Sequence, residues 1–182
     1  MRFLVLLLPC FLVPSLHAQK ASESKTKAAA TEMVKVDWDG EWSLVASKSD
    51  NLNEQIEAHL KDLNFAMKLF WKKKLQNACQ AYEKMDILAG DSFSVTLGRE
   101  RPIDTPADGT VSDWKRRDET VLKASLTKDG PTMIQNLQGD GYSLKHVYSM
   151  RKDGGSLALQ ITYTNPKLDN PFTYKLVFKR ND

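Results

Sequence analysis

The sequence predicts a mainly β protein: an antiparallel up-and-down β-barrel of about eight strands, with a helical insertion after the first strand. Three observations carry this expectation. From Thr120 onward apolar and polar residues alternate with a period of two, which is the pattern of strands with one buried face. The alternation is cut at near-even spacing by Lys128-Asp129-Gly130, Gly139-Asp140-Gly141 and Asp153-Gly154-Gly155, residues that tolerate the positive φ of hairpin turns. Between Asn51 and Lys84 the period changes to steps of three and four, the spacing of one face of a helix.

At the N-terminus, Arg2 precedes an apolar run from Phe3 to Leu16 and then Ala18, the layout of a secretory signal peptide. The run is short for a membrane-spanning helix. Residues 1–18 are therefore expected to be removed near Ala18, giving a secreted or periplasmic protein. An uncleaved anchor is the alternative, and N-terminal sequencing separates the two. Residues 19–33 are rich in Lys, Ser, Ala and Thr without an apolar period and read as a disordered leader. The folded domain is expected over residues 34–182. Loss of Arg2 lowers the formal charge from +3 to +2, too small a bias to imply nucleic acid. Cys79 is then the remaining cysteine, so the domain rests on its core without an internal disulfide. A buried small hydrophobe is the plainer account of Cys79; a reactive or dimerising thiol is the alternative.

The first strand is expected between Val34 and Ala46, with Val36, Trp38 and Trp42, bending at Gly40. Ser47-Lys48-Ser49-Asp50-Asn51 supplies helix-capping residues. Leu52, Ile56, Leu60 and Leu63 form one helical stripe, and Asn64 interrupts it. Met67, Trp71, Leu75, Ala78, Tyr82 and Met85 form a second, with Lys68, Lys72 and Lys73 on the opposite face. Phe93, Val95 and Leu97 alternate in a strand over Ser92 to Leu97. Gly98 to Gly109 reads as loop with at most one short strand, and Val111 to Lys115 as a weak strand around Trp114. Five strands follow. Their inward residues are Leu122, Ala124 and Leu126; Met133, Gln135 and Leu137; Tyr142, Leu144, His146, Tyr148 and Met150; Leu157, Leu159, Ile161 and Tyr163; and Tyr174, Leu176 and Phe178. Such a meander commonly closes into a barrel whose interior can hold one small ligand.

Gln135, His146, Tyr148, Tyr163 and Tyr174 are the polar groups placed among interior leucines. With Leu176 and Phe178 of the last strand they form the expected ligand-binding set, since a few polar groups in an apolar pocket orient a ligand. For His146 a structural role, hydrogen-bonded inside the barrel, is the plainer account. His59, His146 and Cys79 have no metal-ligand spacing. There is no phosphate loop, zincin motif or nucleophile elbow, and Gly139-Asp140-Gly141 is a hairpin turn. Asp104, Asp108, Asp113, Asp118 and Glu119 are interleaved with Arg and Lys as solvated pairs. No enzyme and no cofactor are expected. Lys68, Lys72, Lys73 and Lys74, with Lys115, Arg116 and Arg117, could meet an anionic membrane surface; a solvated face is the simpler account.

The pattern resembles the calycin superfamily. Gly40-Glu41-Trp42 is similar to the lipocalin Gly-x-Trp motif, whose tryptophan packs across the barrel floor. The helical pair after the first strand resembles the lid of intracellular fatty-acid-binding proteins, and Phe178-Lys179-Arg180 resembles the end of that family's last strand. That family has ten strands, so a count of eight favours the lipocalin side. Fatty-acid-binding proteins hold a carboxylate with an Arg-x-Tyr pair on the last strand, where this chain has Leu176 and Phe178. The resemblance therefore implies a secreted, monomeric, lipocalin-like carrier of a small hydrophobic and neutral ligand, with a helical lid over 51–84. A filled barrel acting as a protein-interaction module is the alternative.

Overall fold

The computed structural model describes residues 36–129 and 131–181. The expected signal peptide and leader lie outside the described residues. The strands are β1 (Gly40–Leu44), β2 (Lys84–Ala89), β3 (Ser92–Leu97), β4 (Ile103–Pro106), β5 (Ser112–Lys115), β6 (Val121–Asp129), β7 (Thr132–Gln138), β8 (Ser143–Met150), β9 (Ser156–Thr164) and β10 (Phe172–Arg180). Two helices, α1 (Leu52–His59) and α2 (Phe65–Ala78), lie between β1 and β2. All ten strands form one antiparallel sheet in the order β4-β3-β2-β1-β10-β9-β8-β7-β6-β5.

The sheet is a nearly closed barrel. Its two end strands, β4 and β5, are neighbours without a shared ladder, and side chains bridge the seam. Ser112 Oγ donates to Asp104 O at 2.6 Å, and Trp114 Nε1 donates to Arg101 O at 3.1 Å. The join between the chain's two ends is a true ladder, with Trp42 opposite Arg180 and Leu44 opposite Phe178. Gly40 enters β1 at φ +138°, a conformation strained for any residue with a Cβ. Trp42 is fully buried, and the Arg180 guanidinium lies 4.9 Å from its ring centroid. Arg180 Nη1 pairs with Asp37 Oδ2 at 2.8 Å, so the residues before β1 are held to the end of β10.

The strand count of about eight is corrected to ten. The strand missed outright is β2, and its cause is visible. Ala78, Tyr82 and Met85 continue the helical spacing of Trp71 and Leu75, so the helix reads on to Lys84. The chain instead leaves the helix at Cys79, which has extended angles (φ −113°, ψ 135°). Met85 and Ile87 then face inward from β2, opposite Trp42 and Gly40 of β1. The second addition is β4, the short strand allowed within the Gly98–Gly109 loop; it buries Ile103 and Thr105.

Local chemistry explains the helices. The Asn51 side-chain carbonyl accepts from the N–H groups of Asn53 and Glu54, and its amide donates to Glu54 Oε1 at 2.9 Å. Asn64 caps α2 by accepting from Met67 N at 3.0 Å, so the interruption is a fresh helix start. Ile56 and Leu60 bury the inner side of the first helix, and Trp71 and Leu75 that of the second. The expected stripe on α2 is therefore half right. Met67 faces outward, and Phe65, Leu69 and Phe70 are also exposed, with Phe65 at 78%.

Candidate functional site

Antiparallel pairing of β7 with β8 sets Gln135 opposite His146 and Met133 opposite Tyr148. Alternation turns Gln135, His146 and Tyr148 into the barrel, where all three are buried. They form a connected polar chain. Tyr148 Oη donates to Gln135 Oε1 at 3.0 Å. Gln135 Nε2 donates to Thr105 Oγ1 at 3.1 Å and reaches Ile103 O at 3.5 Å. Thr105 Oγ1 donates to Phe93 O at 2.9 Å. His146 Nδ1 lies 3.3 Å from Tyr148 Oη. The single tyrosine proton is committed to Gln135, so this contact requires a hydrogen on Nδ1 and a lone pair on Nε2.

The chain carries no charge at neutral pH. Burial, reinforced by the nearby Arg116 charge, lowers His146 to about 3. Burial raises the Tyr148 phenol well above its ordinary value. Charging either group here would remove solvation that no counter-ion replaces.

The other expected site residues are spent elsewhere. Tyr174 Oη donates to Gln80 O at 2.9 Å and accepts from Gln80 N at 3.2 Å, pinning the segment after α2 to β10. Tyr163 stacks on Tyr142 at 5.6 Å and accepts from Asn165 Nδ2 at 3.2 Å. Asn165 Nδ2 also donates to Gly141 O at 2.8 Å, so this group ties a loop to a turn. Leu176 and Phe178 are fully buried wall residues opposite Leu159 and Leu157. The expected set thus divides into a three-residue polar chain, two fastenings and an apolar wall.

Sequence reasoning missed Thr105 and the seam carbonyl of Ile103. The one signal was Ile103 and Thr105 alternating between Pro102 and Pro106. It also placed Arg116 on a basic surface with Lys115 and Arg117. The Arg116 side chain is only 5% exposed and sits 5.9 Å from the Trp114 ring, so it belongs to the barrel's end.

The interior is filled. Trp42, Met85, Val95, Leu122, Tyr148, Leu159, Leu176 and Phe178 retain no free surface, whereas a ligand-sized void would leave some on its lining. Over the barrel, Lys68 and Lys72 both pair with Glu57 of α1, at 2.8 and 2.5 Å. Those bonds hold the Glu57 carboxyl down at about 2. Lys74 rests 5.3 Å from the Phe70 ring centroid.

Cys79 is buried, and desolvation pushes its thiol up to about 12. Native protein is expected to react with a maleimide or disulfide reagent at least about tenfold more slowly than urea-unfolded protein. Equal rates, followed by mass spectrometry, would contradict this burial.

This architecture is an antiparallel β-barrel of ten strands with a helical pair after the first. No protein-family model matches the chain, and no curated protein matches it in sequence. Among solved structures it is similar to the REP1-NXSQ fatty acid transporter, with TM-score 0.51 and 20% identity over 79% of this chain and 96% of that one. It is also similar to a variant of the fluorescent protein UnaG, with TM-score 0.50 and 16% identity over 80% of this chain and 96% of that one. Human cRBP IV aligns at TM-score 0.47 with 19% identity over 80% of this chain and 98% of that one. At these identities the likeness is one of fold.

Proposed function

We propose that this chain is a carrier that takes a small hydrophobic ligand with a neutral polar end into its barrel. The observation that carries this reading is the uncharged Gln135–Tyr148–His146 chain, set among apolar side chains beneath a helical pair. A hydroxyl or carbonyl could exchange hydrogen bonds with these groups without bringing a charge into the barrel. On the last strand Leu176 and Phe178 stand at the clamp positions, and the strand's one guanidinium, Arg180, is paired with Asp37. The fold is shared with a solved fatty acid transporter, which supports the carrier class. Since the interior is filled, a ligand enters by displacing side chains. Met85 and Met133, which adapt readily, and the α2 residues Trp71 and Leu75 are the groups to move.

A fatty alcohol and its matched fatty acid, titrated against a polarity-sensitive probe, test the reading. Saturable binding that prefers the alcohol is expected, weakened about tenfold in Gln135→Leu. No saturable signal with either overturns it. The second reading is then favoured, a filled barrel that works through its surface, and the absence of free interior surface is the observation behind it.

The outward side of α2 gives either reading a docking face. Phe65, Leu69 and Phe70 are exposed beside Lys73 and Lys74, the composition of a helix that lies on an anionic bilayer. Binding to anionic vesicles that weakens with salt supports this face, and no binding removes it. Secretion, proposed from Arg2, the apolar run and Ala18, is tested by sequencing the N-terminus of exported protein.

A further inference from the structure

A groove of about 650 Å3 runs between the end of α2 and the turns β3–β4 and β5–β6. Its amides come from Gln76, Asn77 and Gln80, and its charged groups are Arg116 and Arg117 with the carboxylates Glu100 and Asp118. Arg116 is the unusual member. Its side chain is almost fully buried, yet its closest carboxylate oxygens are Glu100 Oε1 at 3.5 Å and Asp118 Oδ2 at 3.9 Å. A charged N–H···O bond is about 2.7–2.9 Å. Arg116 Nε has no partner among the described residues. A buried guanidinium left this way is costly unless something else completes its hydrogen bonds.

Both carboxylates also accept from the backbone. Glu100 Oε2 accepts from Arg117 N at 3.1 Å, and Asp118 Oδ1 accepts from Thr120 N at 3.1 Å. Arg116 is itself fixed, since its backbone N–H donates to Thr120 O at 2.8 Å and its guanidinium lies over Trp114. The Arg117 side chain is exposed at the same groove and has no ion pair among the described residues. An under-bonded, held fork beside a second, unpaired guanidinium matches the planar geometry of an oxyanion.

We propose that this groove is a binding site for an oxyanion-bearing solute, a carboxylate or a phosphate, held by Arg116 as a fork and by Arg117 as a second cation. The Asn77 and Gln80 amides bond the rest of the solute. The site lies outside the barrel interior and stands whether or not the interior takes a ligand. Its two guanidinium and two carboxylate groups balance formally, so recognition is by shape and hydrogen bonding. A spherical chloride ion does not satisfy it.

Nitrogen-15 NMR of the Arg Nε–H groups, in the whole chain, tests this. Sodium acetate and sodium phosphate are titrated separately against sodium chloride at matched ionic strength. Saturable shifts at Arg116 and Arg117 with acetate or phosphate are expected, and the anion that saturates identifies the source. Arg116→Lys, which cannot form a fork, is expected to weaken binding at least about tenfold, and Arg117→Ser about threefold or more. Shifts that stay linear, or that chloride reproduces, overturn the proposal, as does an unchanged curve in Arg116→Lys. If that variant does not fold, the exposed Arg117→Ser decides, and unchanged affinity there overturns it.

Discussion

Between pH 6.5 and 4.5 the folded state is expected to lose about 2 kcal/mol through His146 alone. In the unfolded chain this imidazole binds its proton near 6.5, while burial first and the Arg116 charge second hold it to about 3 in the barrel. As the pH falls through this interval the unfolded state takes up a proton that the folded state refuses. Stability is therefore full above pH 6.5 and falls until the folded group also titrates near 3, a total of roughly 5 kcal/mol. The histidine dominates this upper interval, most clearly above pH 5.5. The carboxyls of Glu57, Asp108, Asp118 and Glu119 are shifted downward, so their contributions are lost at more acid pH. Urea unfolding of the wild type and of His146→Gln at pH 7, 5.5 and 4.5 measures the effect. The variant has a flatter pH dependence, so any deficit it shows at pH 7 narrows toward pH 4.5. Parallel pH dependence in the two proteins would falsify the assignment to His146.

Trp71→Ala is expected to destabilise the protein by about 3–5 kcal/mol, the range for removing a large buried aromatic. The second helix is held to the barrel by few buried side chains. Trp71 and Leu75 are its buried residues, and its N-terminal turns present Phe65, Met67, Leu69 and Phe70 to solvent. Deleting the indole leaves a cavity under the helix and removes the edge-on contact with Phe70, whose centroid is 5.4 Å away. Hydrogen exchange should show the α2 amides losing protection more than those of β7 to β9, because the strands keep their ladders. Phe70→Ser is the control, since this ring is half exposed and a surface change is usually worth within about 0.5 kcal/mol. Comparable loss of stability in the two variants would show that α2 does not depend on Trp71.

The meander was legible because its strands are long and its turns are marked. Thr120 to Phe178 declares five strands, and the barrel buries their expected inward residues, apart from Tyr142 and Met150, which are half-buried, and adds Phe172 at the start of the last. The front half was harder to read. Its β2 has two inward apolar residues, Met85 and Ile87, and Met85 also falls in step with the helix before it. Two positions cannot separate a period of two from a period of three and four. The polar chain was legible one residue at a time. Gln135, His146 and Tyr148 stand out as polar residues on apolar faces, but the contact of Gln135 with Thr105 spans thirty positions.

By itself the sequence determined that this is a mainly β, hairpin-connected barrel with a helical insertion, which polar residues face inward, and that the last strand offers Leu176 and Phe178 where a carboxylate clamp would need charge. The first two follow from local periodicity and turn chemistry, which each segment carries alone; the third rests on the resemblance to fatty-acid-binding proteins. Only the tertiary structure decided that Tyr163 and Tyr174 are fastenings, that Gln135, Tyr148 and His146 join into one neutral chain, that the interior is filled, and that Arg116 is a buried fork rather than a surface charge. Each depends on distances between residues far apart in the chain, and on how much water the assembled barrel excludes. Periodicity records which way a side chain points; its partner and its solvation are set when the sheet closes.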